Sequence, residues 1–151
     1  AIIDFAAYFG ARCETAWQRY KLEGVEYLVD NPYNKLVINV DASNIGIIID
    51  QIAANAAQHT MKGQIRARFD YTGEGLVMAF MDTGSGIADE KLNPIFERFT
   101  GSTSRGTGLG LPICYEMVRQ MNGNITIKST RDKGTMVWVT IPCECSEIER
   151  K

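Results

Sequence analysis

Apolar positions along this chain switch between two periods. Phe5, Phe9, Cys13, Trp17 and Tyr20 recur at helical spacing until Gly24, which stops the run. Ile45, Ile48, Ile49, Ile52 and Ala56 form a second such stripe within Asn44 to Thr60, and Pro112 to Met121 a third amphipathic run closed by Asn122-Gly123. Shorter runs around these helices carry the alternation or continuous apolar character of strands: Ile2–Ile3, Val25–Val29, Leu36–Val40, Gln64–Tyr71, Gly75–Asp82, Asn124–Ser129 and Thr135–Ile141. Turn residues separate them at Asp30–Asn34, Thr72–Glu74 and Arg131–Gly134, and Ala88–Asn93 suggests one or two further helical turns. The pattern predicts an α+β fold, a two-layer α/β sandwich with a mixed sheet and its three main helices on one face. Residues 1–145 read as one domain, and the polar stretch 146–151 as a frayed tail or linker.

The second helix has an unusual polar side. Gln51, Asn55, Gln58 and His59 fall at i, i+4, i+7 and i+8 and gather amide and imidazole heads where a solvated face would carry Lys and Glu. The Asn55 carbonyl oxygen is a hard ligand of the kind Mg²⁺ accepts alongside waters and substrate phosphates. A polar helix face packed on a loop explains the same pattern equally well.

Two glycine-rich stretches raise the first reading. Asp82-Thr-Gly84-Ser-Gly86 puts a lone carboxylate at the end of the apolar run Leu76–Met81, followed by residues that let backbone approach a ligand closely. Gly106-Thr107-Gly108-Leu109-Gly110-Leu111 leads into the helix starting at Pro112, where unpaired N–H groups favour a phosphate. Singly, each is most simply a turn. The second is not a dinucleotide fingerprint, because Leu111 replaces the third glycine, nor a P-loop, because Thr107 stands at the lysine position. Together they describe a site with an acceptor for a base at one end and a phosphate cradle at the other.

With these elements the chain resembles the ATP-binding catalytic domain of sensor histidine kinases, in the superfamily shared with type II topoisomerases, heat-shock chaperones and mismatch-repair ATPases. Gln51–Thr60 is similar to the asparagine box, Asp82–Ile87 to the first glycine box, Ile95–Phe99 to the phenylalanine box, Gly106–Leu111 to the second glycine box and Gly134–Pro142 to the closing strand. The resemblance implies a Bergerat-type ATP-binding fold with ATP and Mg²⁺ as cofactors. It implies that Asp82 accepts from the adenine amino group, that Gly84, Gly86 and Ile87 pass close to the base, and that Thr135 sits beside it. Asn55 would hold Mg²⁺, with Gln58 and His59 near the nucleotide. Gly106, Gly108 and Gly110 would form the hinge and phosphate cradle, with Thr107 at the nucleotide and Leu109 and Leu111 packed under the cradle. Gln51 and Arg98 take the catalytic positions; Arg105 is the other nearby cation and reads better as a solvated loop charge.

The same resemblance implies partners. The γ-phosphate would go to a histidine on a dimerisation and phosphotransfer domain, and from there to the receiver domain of a response regulator. The only histidine here, His59, lies inside the asparagine box and lacks the phospho-acceptor context. This chain therefore reads as the catalytic half of a larger protein, a reading that its start at Ala1 fits, as processing also would. Three departures favour an alternative, a degenerate module that binds ATP without transferring it. Gln58 replaces a common lysine, Gln51 cannot serve as a general base at neutral pH, and only Thr100–Arg105 separates Phe99 from Gly106, a short lid. A third reading, an aspartic protease half-site at Asp82-Thr-Gly-Ser85, conflicts with the helical segments, since that fold is nearly all β.

Composition narrows the setting. The 151 residues are 45% hydrophobic, enough for one proper core, and a net charge of −2 with no basic cluster argues against nucleic acid. No apolar run reaches the ~20 residues needed to span a bilayer, so no membrane contact is expected of this segment, whether or not the parent is anchored. Cys13, Cys114, Cys143 and Cys145 show neither zinc nor disulfide spacing, which fits a reducing, cytoplasmic setting.

Overall fold

The structure is a computed structural model that describes residues 1–19, 21, 23–59, 62–83, 111–130 and 134–151. Its elements run β1 (Ile2–Asp4), α1 (Phe5–Gln18), β2 (Val25–Asp30), β3 (Tyr33–Asn39), α2 (Ala42–His59), β4 (Gly63–Thr72) and β5 (Gly75–Asp82). After the next described residue, Leu111, come α3 (Leu111–Gln120), β6 (Asn124–Thr130), β7 (Gly134–Ile141) and β8 (Cys145–Arg150). The helical turn expected at Ala88–Asn93 lies outside the described residues.

A five-stranded mixed sheet, ordered β2-β4-β5-β7-β6, forms one layer. β2 and β4 pair in parallel, with α2 in the crossover between them, and every other pairing in this sheet is antiparallel. The helices cover one face. Ile45, Ile48, Ile49 and Ile52 of α2 are buried with Phe69, Leu76, Met78, Val137 and Val139 of the sheet, as the helical stripe predicts. α1 supplies Phe5 and Phe9, whose rings meet Phe69 at 5.2 and 4.8 Å. α1 starts where Asp4 caps it: its Oδ1 accepts from Ala6 N–H at 3.1 Å and from Leu36 N–H at 3.0 Å, tying the helix to β3.

The mixed sheet with its helices on one face agrees with the sequence pattern, and β1, β3 and β8 form a second, three-stranded sheet. One expectation needs correction. The stretch expected as a polar tail, 146–151, is nearly all strand: β8 pairs antiparallel with β3 from Tyr33↔Arg150 to Ile38↔Cys145. Its pairing is carried by backbone hydrogen bonds at an edge, where side chains face water and no apolar pattern is required. Asn122-Gly123 stops α3 as expected. Asn122 adopts φ 60, its N–H donates to Arg119 C=O, and Gly123 N–H reaches back to Val118 C=O at 2.8 Å. Gly123 follows because a Cβ there would stand 2.3 Å from the Thr140 carbonyl oxygen. No helix among the described residues is long and apolar enough to cross a membrane.

Candidate functional site

Chain connectivity brings three element ends to one edge of the sandwich. β5 finishes at Asp82, opposite Ile65 of β4 and Thr135 of β7. α2 ends at His59 and β4 begins at Gly63, so the last turns of α2 lie at the end of the sheet that holds Asp82. α3 joins β6 through the tight turn at Asn122-Gly123, and β6 starts opposite Thr140 and runs toward Gly134. The helix therefore runs the other way, ~15 Å over its length, and directs its N-terminus toward the Thr135 end.

Burial picks out the same edge. Among the described residues, the buried polar or charged side chains are Asn55, Asp82 and Thr135, all three predicted from sequence as site residues. Burying such groups is costly unless they are satisfied or used. Asn55 is 1% exposed, and its Oδ1 has no hydrogen-bond partner among the described residues. Asp82 and Thr135 face each other across β5 and β7 on the helix-covered side. Gln51, one turn before Asn55, is only partly buried.

The backbone beyond Asp82 is clamped. Gln64 N–H donates to Thr83 Oγ1 at 2.9 Å, and Thr83 N–H donates to Gln64 C=O at 3.1 Å. Gly134, at φ 132, lies so close to β5 that a Cβ would be 2.0 Å from the Asp82 carbonyl oxygen. These supporting residues were not assigned a role from sequence; the only signal was a glycine directly ahead of the closing strand. An open concavity of about 310 Å³ at this edge is lined by Met81, Asp82, Thr83, Gly134, Thr135 and Met136.

α3 is anchored beside α2 by Cys114, whose Sγ is 3.7 Å from the Ile48 carbonyl oxygen. Burial pushes its thiol pKa up to about 12, so it packs as a neutral group. The backbones of Gln58 and His59 end α2 and that of Leu111 begins α3. Gly84, Gly86, Ile87, Arg98, Arg105, Gly106, Thr107, Gly108, Leu109 and Gly110 lie outside the described residues.

Comparison with known proteins decides the family. The profile described as "Histidine kinase-, DNA gyrase B-, and HSP90-like ATPase" matches residues 40–144, well over half of the chain. The chain belongs to this family. It is 28% identical over 120 residues to the sensor protein EvgS of Escherichia coli (strain K12), an alignment covering 74% of this chain and 10% of EvgS. This chain thus spans about a tenth of that relative's length. The mycobacterial sensor histidine kinase MprB superposes with a TM-score of 0.73 at 21% identity, covering 97% of this chain and all of the MprB chain. Full-length ShkA, solved in complex with AMPPNP, superposes with a TM-score of 0.72 at 22% identity, covering 100% of this chain and 31% of that one. The fold is that of a histidine kinase-type ATP-binding catalytic domain.

Proposed function

We propose that this domain binds Mg-ATP at the Asp82 edge and presents the γ-phosphate to a histidine supplied by a separate dimerisation domain of a cytoplasmic or membrane-anchored sensor kinase. The receiver domain of a response regulator is the next acceptor. The observation that carries this reading is the concentration of buried polarity: the buried polar or charged side chains among the described residues, Asn55, Asp82 and Thr135, are the three that the family resemblance assigns to the nucleotide. Asp82 accepts the adenine amino group beside Thr135, with Gly84, Gly86 and Ile87 along the base. Gly106 to Leu111 and the N-terminus of α3 receive the phosphates, whose negative charge suits unpaired helix N–H groups.

The residues present fit Mg²⁺. Asn55 offers a buried amide oxygen without a partner among the described residues, the hard donor that this ion takes in small number next to phosphates. The ion, when bound, neutralises phosphate charge; Gln58 and His59 flank the phosphates as neutral groups. Gln51 orients the incoming nucleophile, and Arg98 offsets charge developing on the transferred group. The acceptor histidine nitrogen bonds to the γ-phosphorus as the bond to the bridging oxygen of ADP breaks.

Gln51 and Gln58 favour a second reading, a module that binds ATP without transferring it, because neither supplies the base or the cation that phosphoryl transfer draws on. Calorimetric titration with ADP and a non-hydrolysable ATP analogue, with and without Mg²⁺, tests the site. Saturable binding strengthened by Mg²⁺ is expected, and no binding at millimolar nucleotide would overturn the proposal. Adding the histidine domain in trans then separates the readings, since labelled phosphate on that domain requires transfer.

A further inference from the structure

The face of the five-stranded sheet opposite the helices does not follow the pattern of a solvated surface. An antiparallel sheet with one wet face shows polar residues at alternate positions, and a strand apolar on both faces is one covered on both. β4 and β6 obey the first rule: their outward positions are Gln64, Arg66, Arg68 and Asp70, and Asn124, Thr126 and Lys128. β5 follows the second. Leu76, Met78 and Phe80 are buried under the helices, while Val77, Ala79 and Met81 continue the apolar run outward. β7 adds Met136 and Trp138 beside Met81 and Ala79. The apolar floor is therefore two strands wide.

Each rim carries one cation without an ion pair among the described residues, Arg68 on β4 and Lys128 on β6, whereas Arg66 is paired with Asp30. One row of the sheet reads Arg66, Met81, Met136, Lys128 across β4, β5, β7 and β6, and the next reads Arg68, Ala79, Trp138, Thr126. Carboxylates near this face are engaged: Asp30 pairs with Arg66 at 3.5 Å and Asp70 with Arg150 at 3.4 Å, and Glu26 accepts from Gln64 at 2.8 Å. Arg66 Nε is buried with no acceptor among the described residues. Concavities of about 310 and 240 Å³ adjoin along the floor, sharing Met81 and Met136. Strand spacing of ~4.8 Å puts the two rims roughly 14 Å apart, which accepts one α-helix of ~10–12 Å diameter and leaves no room for a pair.

We propose that this face docks a single amphipathic helix with carboxylates along both flanks, from outside the described chain, its apolar stripe on Met81, Met136 and Trp138 and its acids on Arg68 and Lys128. Methionine and tryptophan supply the adaptable and anchoring contacts that such docking uses. A second copy of this chain is the poorer occupant, because the carboxylates on its own face are already paired and bring nothing to the cationic rims.

The test uses the whole chain with methyl-labelled methionine and two synthetic helical peptides that share a leucine stripe, one flanked by Glu and the other by Lys. Saturable shifts at Met81, Met136 and the Trp138 indole are expected with the Glu peptide, weakened by salt and at least tenfold weaker for the Lys peptide. Arg68→Glu with Lys128→Glu, both at exposed positions, should reverse that preference while leaving nucleotide binding unchanged. Equal binding of both peptides, shifts confined to the helix side of the sheet, or no effect of the double substitution would overturn the proposal. So would concentration-dependent dimerisation through the same methyl groups.

Discussion

Gly134 lies so close to Asp82 that a single added carbon on one would stand 2.0 Å from the carbonyl oxygen of the other. The register Asp82↔Thr135 places this contact directly beside the buried pair proposed to hold adenine. Gly134→Ala must therefore displace the end of β5 and abandon φ 132, which an L residue rarely adopts. The expected cost exceeds about 1 kcal/mol, or roughly 2–4 °C in melting temperature per kcal/mol for a domain of this size. ADP affinity should fall in parallel. A variant with unchanged melting and unchanged ADP binding would show that this contact does not position Asp82.

Asp82 and Asn55 separate base from metal. Asp82→Asn exchanges a charged acceptor for a neutral one, and losing a charge-assisted hydrogen bond of ~1.5–3 kcal/mol predicts about 10- to 100-fold weaker ADP binding with or without Mg²⁺. Asn55→Ala should abolish the Mg²⁺ enhancement and leave most of the magnesium-free affinity. Its stability cost should stay below about 1 kcal/mol, because the amide oxygen removed is buried and forms no hydrogen bond with the described residues. Calorimetry and urea denaturation of both variants read these effects. Identical losses in the two, or a large destabilisation by Asn55→Ala, would speak for a merely structural amide.

The sequence made these two residues visible because each breaks a local rule. Asn55 is an uncharged polar group on a helix whose solvated face should carry charge, and Asp82 ends a strand apolar on both sides. β4 to β7 and the three helices were equally legible, since their buried stripes keep period with their geometry. β8 was not: Ser146 to Arg150 gains its place through backbone pairing with β3, which leaves no trace in hydropathy. The division of strands into two sheets was hidden for the same reason, as Leu36 and Ile38 are buried in either arrangement. Gly134 was visible as a turn residue at the head of the closing strand, but its contact with Asp82 was not, because Asp82 lies far away in sequence.

The four free thiols should fall into two classes. Cys13 and Cys114 are buried, and desolvation pushes both up to about 12, with the Arg12 charge partly opposing this at Cys13. Cys143 and Cys145 are partly exposed. A disulfide-exchange reagent at pH 8 should modify Cys145 and, more slowly, Cys143, whose thiol pKa burial also raises; the other two should react only on unfolding. The raised values also set the alkaline limit of stability. Their folded pKa lies above the unfolded 9.0, so the stabilisation is fully present below pH 9 and is lost as pH rises from there toward 12. Urea midpoints should hold from pH 7 to 8.5 and then decline. Midpoints that stay flat to pH 10.5, or rapid modification of Cys114 in the folded chain, would contradict this.

The acid limit is set where the small sheet meets the large one. The Tyr33 hydroxyl donates to Asp70 Oδ1 and accepts from Tyr71 N–H at 3.1 Å, while Arg150 of β8 lies 4.7 Å over the Tyr33 ring and 3.4 Å from Asp70. Burial acts to raise the Asp70 pKa, but the Tyr33 hydroxyl, the Tyr71 N–H and the Arg150 charge outweigh it and hold the pKa below the usual 3.8. A depressed folded pKa means stabilisation that is present above the unfolded value and lost as pH falls through the folded one. Tyr33→Phe removes one of the hydrogen bonds to the charged form. It should cost about 1 kcal/mol at pH 7, discounted by the partial exposure of Asp70. The difference from the parent chain should shrink as pH falls below 3.8 and through the lowered folded pKa of Asp70, where the carboxylate takes up its proton. Urea denaturation of the two chains at pH 7 and pH 3 measures it, and a constant difference across that interval would show that the Tyr33 hydroxyl contributes through the hydrogen bond it accepts from Tyr71 N–H rather than through the carboxylate.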